Sequence, residues 1–213
     1  MISNKSYHNY PFFILRQSCH LYTITLTHLN SLSCRYMILG FYIYLCKNLI
    51  LYKKTDMKLN KEERVRRAEE LFMKGYNCSQ SVVAAFADIY GYTEEQALRL
   101  SAGFGGGIGR MRMTCGAACG MVTLAGMDCG SVTAGDREGK SANYRVVQQL
   151  MKRFEEMHGS VICAELLKLK KGAPLSYEAS ERTAEYYKTR PCVSQIVSAA
   201  KIYAEYLESL EDE

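Results

Sequence analysis

Three times between Asn60 and Gln96 the chain repeats one signature: a capping side chain, an acid or amide three residues on, then apolar residues at helical spacing. The pairs are Asn60 with Glu63, Asn77 with Gln80 and Thr93 with Gln96. In such a capping box the first side chain accepts from the backbone three residues later, and the later side chain returns to the cap's own N–H. Val65, Ala68, Leu71 and Phe72 then share one helix face, and Val82, Val83, Ala85, Phe86 and Ile89 fall in the next helix. Gly75 and Gly91 follow as residues able to turn left-handed and stop those helices.

The same pattern continues to the end of the chain. The spacing predicts a short helix from Thr93 to about Ala102, then a glycine-rich loop from Gly103 to Gly109. Further helices are expected from Thr114 to Ala125, Ser141 to Met157, Ser160 to Leu169, Ser176 to Tyr187 and Pro191 to Leu210. Alternating strand patterns are scarce. The expected fold is all-α, a single compact domain of six or seven helices with helix N-termini converging on a cysteine cluster.

The first 56 residues differ from the remainder. Ala, Val, Glu, Gly and Asp, whose codons all begin with G, supply 2 of those 56 residues but 64 of the 157 from Met57 onward. The expectation is that residues 1–56 are a translated upstream extension and that the domain is 57–213, opening at Met57. A secretory signal is not expected, because the first alanine is Ala68 and a cleavage site needs small residues. A weak membrane anchor is the alternative reading of the extension, disfavoured because the best apolar run, Met37 to Tyr52, is 16 residues long and broken by Lys47 and Asn48. The net charge of +5 also resides in this extension, leaving 21 basic and 21 acidic residues after it. A nucleic-acid partner is therefore not expected. Cys19, Cys34 and Cys46 lie in the extension and carry no functional weight.

Six cysteines remain: Cys78, Cys115, Cys119, Cys129, Cys163 and Cys192. Cys78 follows the cap Asn77, Cys115 follows Thr114, Cys163 lies three residues after Ser160, and Cys192 follows Pro191. Four cysteines thus fall in the first turns of four helices. There the free N–H groups and the positive end of the dipole favour thiolate, the form that binds metals and attacks disulfides. Their spacings of 37, 48 and 29 residues contain no Cys-x-x-Cys, so any shared site must be assembled by the fold. Cys119, one turn beyond Cys115, could join it. Cys129 reads as incidental and His158 as a helix-end residue.

The glycine loop lacks the Gly-Lys-Ser/Thr of a phosphate loop and reads instead as close backbone approach with left-handed angles. Arg110 and Arg112 are placed to offset the charge of an anionic centre, or to be solvated loop arginines. Gly116 and Gly120 suggest a tight helix crossing beside the site. Tyr186, Tyr187, Tyr203 and Tyr206 read as residues of the core edge. No Ser-His-Asp set, paired-carboxylate site or metalloprotease helix is recognisable, which disfavours a hydrolase; no transferase site is recognisable either.

Cys78, the run Cys115-Gly116-Ala117-Ala118-Cys119-Gly120, Cys163 and Cys192 together resemble the redox-active protein family named for its pattern, C_GCAxxG_C_C. The resemblance covers nearly all of Lys61 to Leu207, including Gly-Tyr-Asn-Cys-Ser-Gln at 75–80 and the Gly103–Gly109 loop. It implies a redox role, with Gly116, Ala117 and Gly120 as supporting residues. The expected protein is a cytoplasmic redox or electron-transfer protein. Cys78, Cys115, Cys163 and Cys192 would ligate an iron–sulfur cluster, with Cys119 as a further candidate and a redox partner protein implied. Two alternatives stay open: a metal-free thiol–disulfide protein using the same four cysteines, and a helical module stabilised by zinc. A homodimer is also left open.

Overall fold

The computed structural model describes residues 60–211; the expectations for residues 1–56 and for a start at Met57 lie outside these residues. The described residues form eight α-helices: α1 (Lys61–Met73), α2 (Cys78–Phe86), α3 (Glu94–Ser101), α4 (Gly116–Cys129), α5 (Arg137–His158), α6 (Cys163–Leu166), α7 (Ala184–Thr189) and α8 (Cys192–Glu211). Six of them have eight residues or more, while α6 and α7 have four and six. Among the described residues there is no strand, only one antiparallel bridge between Thr114 and Ile162. The expected all-α class is what the structure shows.

Two of the three capping signatures close as full boxes, while at the first the Glu63 carboxylate pairs with Arg66 instead of the Asn60 N–H. The Asn60 side chain accepts from the Glu63 N–H, and both partners of the Asn77/Gln80 and Thr93/Gln96 boxes are in place. Gly75 takes a φ of 106° beyond α1. After Phe86 the second helix tightens into a 3₁₀ turn, Ala87–Tyr90, which Gly91 ends at a φ of 75°.

α2 and α4 form the centre, and their sequences show why. α2 is buried at every position except Gln80, and α4 is buried from Gly116 through Met121. A helix apolar on all sides must be enclosed by others. Small residues let these two backbones approach. A β-carbon on Gly120 would lie 2.8 Å from Val82 Cβ, and one on Gly116 would lie 2.9 Å from the Phe104 carbonyl oxygen and 3.2 Å from Cys78 Cβ. The expected tight crossing is therefore present, between α2 and α4. Around it α8 packs against α1, α2, α4 and α5. Ile196, Ala199, Ala200 and Tyr203 of α8 are fully buried, as are Phe86 and Phe154. Each large side chain of this kind contributes about 1.5–3 kcal/mol on burial.

Several boundaries differ from the sequence expectation. α4 begins at Gly116 because Thr114 is held in the bridge to Ile162, leaving Cys115 as the cap residue. α5 begins at Arg137, four residues early, because Asp136 accepts from the Gly139 N–H at 2.8 Å. The helix expected from Ser160 is a single turn: the Ser160 hydroxyl accepts from the Ile162 N–H instead of capping a longer helix. The segment expected to be helical from Ser176 becomes so only at Ala184, capped by Thr183. Tyr203, expected at the core edge, is fully buried with its hydroxyl hydrogen-bonded to that of Tyr90.

Candidate redox site

Each of the four cysteines stands at a helix start. Cys78, Cys163 and Cys192 are the first residues of α2, α6 and α8, and Cys115 immediately precedes α4. Different local features set each position. Asn77 accepts from the Ser79 and Gln80 N–H groups, which fixes the first turn behind Cys78, and its amide nitrogen donates to the Ala102 carbonyl at 2.9 Å. Cys115 and Cys163 are joined through the backbone. The Cys115 N–H donates to the Val161 carbonyl at 2.8 Å, and the Cys163 N–H donates to the Met113 carbonyl at 2.6 Å.

The glycine loop lies behind this pairing. Gly106, Gly107, Ile108, Gly109 and Arg110 have φ values of 65°, 75°, 57°, 55° and 65°, five consecutive left-handed residues. A left-handed conformation costs a non-glycine residue about 1–2 kcal/mol, and a β-branched residue such as Ile108 adopts it rarely. The reason for glycine is clearest at Gly107. A β-carbon there would sit 2.6 Å from Cys163 Cβ and 2.9 Å from the Met113 nitrogen. The expected close approach with left-handed angles is thus realised, and it lets the loop fold against Cys163.

All four sulfur-bearing residues line one cavity of about 450 Å³. They are buried, and none is in a disulfide. Their environments separate them chemically. Cys78 and Cys192 interact directly. The neighbouring Cys192 sulfur and burial push the Cys78 pKa well above the ordinary thiol value. Cys192, accepting from Cys78 and facing Arg190, Arg182 and Arg112, is shifted down despite its burial. Cys115 is pushed up to about 12 by burial, although the N–H groups of Ala118 and Ala117 favour its thiolate. Its thiol donates to Gln195 Oε1 at 3.9 Å. Burial also raises Cys163, opposed by a hydrogen bond from Arg112.

The remaining sequence candidates divide clearly. Arg110 and Arg112 line the cavity, and Gly116 forms part of its wall. Ala117 and Gly120 are buried within α4 and do not line the cavity. Cys119 is not a lining residue; its thiol donates to the Thr114 carbonyl at 3.8 Å, and burial raises its pKa to about 11. Cys129 lies at the far end of α4, where Asn143 donates to it at 3.4 Å. His158 ends α5 with its ring 4.6 Å from that of Phe154. Sequence reasoning missed Arg182, Arg190, Gln195 and Tyr186, all of which line the cavity. The only sequence signal was Arg190, two positions before Cys192.

The donor set can be tested against a metal group. As placed, no three His, Cys, Asp or Glu side chains among the described residues gather around a single ion. A cluster of several atoms makes a different demand, with four thiolates distributed around it. Four cysteines on the wall of one cavity, with arginines beside them to balance negative charge, fit that demand in kind and number.

Among the described residues no helix is long and apolar enough to cross a membrane. Neither a curated protein nor a solved structure matches the chain. Residues 76–206 match the family described as "Putative redox-active protein (C_GCAxxG_C_C)". That span runs from just before Cys78 into the last turns of α8, takes in all four cavity cysteines, and covers more than half of the sequence: the chain belongs to the C_GCAxxG_C_C family.

Proposed function

We propose that this protein transfers electrons through an iron–sulfur cluster ligated by Cys78, Cys115, Cys163 and Cys192. The observation that carries this reading is their convergence: four cysteines far apart in sequence, each at a helix start, line one cavity. When bound, such a cluster supplies reversible one-electron chemistry. The chain's own contribution is electrostatic. The starts of α2, α4 and α8 present positive dipole ends, Arg112 hydrogen-bonds Cys163, and Arg190 and Arg182 face Cys192. Electron uptake adds negative charge, so these groups favour the reduced state and raise the potential. A reducing cytoplasm is the compartment in which free thiols persist, and we place the protein there with a redox protein as its partner.

The Cys78–Cys192 contact supports a second, metal-free reading. A Cys192 thiolate attacks a partner disulfide, giving a mixed disulfide and releasing one partner thiolate. Cys78 then passes its proton to that partner thiolate and attacks the Cys192 sulfur, so a Cys78–Cys192 disulfide forms and the partner leaves reduced, with one thiol and one thiolate.

Anaerobic purification with visible absorption, EPR, and iron and sulfide analysis decides between them. The cluster reading expects a coloured protein containing iron and sulfide. Ser substitution at any of the four cysteines removes the signal, and Cys129→Ser preserves it. A colourless protein losing two thiols on mild oxidation, with Cys78 and Cys192 joined, supports the second reading. Stoichiometric zinc with redox-inert thiols overturns both.

A further inference from the structure

The cavity wall carries a second chemistry. Arg110, Arg112, Arg182 and Arg190 all line it, and it contains no Asp or Glu. Among the described residues, none of the four has a carboxylate within 4.0 Å. Elsewhere in the fold Arg64 pairs with Asp88 and Arg99 with Glu95.

These arginines are held in place by neutral partners. Arg110 donates to the Ser176 carbonyl at 2.9 Å and to the Ser180 hydroxyl at 2.8 Å. Arg182 lies 4.5 Å from the Tyr186 ring centre and Arg190 lies 4.6 Å from it. Arg182 donates from Nη2 to the Tyr76 carbonyl at 3.2 Å, while its Nη1 is buried and without a protein partner among the described residues. Burial, with Arg112 and Arg190 nearby, disfavours the charged form of Arg110. Four like charges converging on one recess repel each other, and low-dielectric walls strengthen the field they produce. The thiolates answer only part of it. A [2Fe–2S] cluster on four thiolates is formally a dianion when oxidised, and the metal-free pair supplies one thiolate.

We propose that the cysteine cavity binds a small, multiply charged oxyanion, phosphate- or carboxylate-bearing, in the arginine forks beside the sulfurs. Planar guanidinium groups match both oxyanion types with paired hydrogen bonds. A cavity of about 450 Å³ is in the range of small-molecule sites, so the ligand is a small molecule and not a protein segment. The proposal rests on reading this cavity as the redox site and names the substrate class that site would admit.

Isothermal titration of the full chain, purified without oxygen, tests it with inorganic phosphate and with citrate at constant ionic strength. Saturable one-to-one binding is expected, and the stronger of the two probes identifies the oxyanion type. Arg182→Gln and Arg190→Gln should each weaken binding by about 10-fold or more. Arg99→Gln, on an exposed face of α3, should not change it. Arg182→Lys, which keeps the charge but loses the fork, should fall between. Thermal melts identify any variant that fails to fold, and Arg190→Gln serves as the independent second test. Absence of saturable binding by both probes overturns the proposal, as does equal weakening by Arg99→Gln. Anion binding to a chain with no iron and no reversible disulfide would sink the redox reading alone; a redox-active chain that binds neither anion would sink this one alone.

Discussion

Gly120→Ala and Gly126→Ala are the same substitution six residues apart in α4, and they should shift stability in opposite directions. Gly126 is exposed, and a β-carbon there meets nothing within 4 Å. It should gain the helix preference of alanine over glycine, about 1 kcal/mol. At Gly120 the new carbon would lie 2.8 Å from Val82 Cβ and 3.0 Å from Val82 Cγ1. Val82 Cβ is bonded to the backbone of α2, so a rotamer change cannot relieve the contact and the two helices must separate. Overpacking of this kind costs about 1–3 kcal/mol. The preference for alanine is common to both variants, so their difference isolates the crossing. Urea unfolding should separate them by about 1–3 kcal/mol, with Gly120→Ala the less stable. In a thermal melt the gap is roughly 2–12 °C. Gly120→Ala should also reduce iron or zinc retention, because moving α2 carries Cys78 away from Cys115. Equal stabilities, or a reversed order, would refute the close α2–α4 crossing as the determinant of the site.

Other perturbations test the site and its support separately. Asn77→Ala removes the acceptor for two N–H groups and the donor to Ala102, and should cost about 1–2 kcal/mol in urea unfolding. Phe154→Ala should cost about 3–5 kcal/mol by the same assay, since the ring is fully buried; a loss under 1 kcal/mol would contradict that burial. In the metal-free reduced protein, iodoacetamide labelling followed by peptide mass spectrometry should separate Cys192 from Cys115. A depressed pKa keeps Cys192 as thiolate at lower pH, whereas Cys115, pushed up to about 12, remains a thiol through neutral pH. Labelling of Cys115 ahead of Cys192 on acidification would reverse the assigned environments.

Local chemistry was the legible part of this sequence. Asn77 with Gln80 and Thr93 with Gln96 placed helix starts correctly because a capping box involves only four consecutive residues. The cysteine positions followed, since Cys78 needs only Asn77 before it. The start of α5 was hidden by Gly139 in its first turn, a helix-weakening residue that here leaves its N–H to the Asp136 side chain. The expected helix from Ser176 failed for a non-local reason. Arg110 binds the Ser176 carbonyl and the Ser180 hydroxyl from 66 and 70 residues away, holding that stretch in an irregular path. Arg182 and Tyr186 were illegible as lining residues for the same reason: only packing brings them to the sulfurs.

The placement of Cys78 on α2 and Cys192 on α8 has a mechanical consequence. Any bond bridging these two sulfurs, directly or through a shared inorganic core, encloses about 115 residues of chain and clasps the second helix to the last one. Restricting so long a loop in the unfolded chain is worth about 5 kcal/mol. Electron occupancy and resistance to denaturation would then be read from a single clasp, and opening it would loosen the whole bundle.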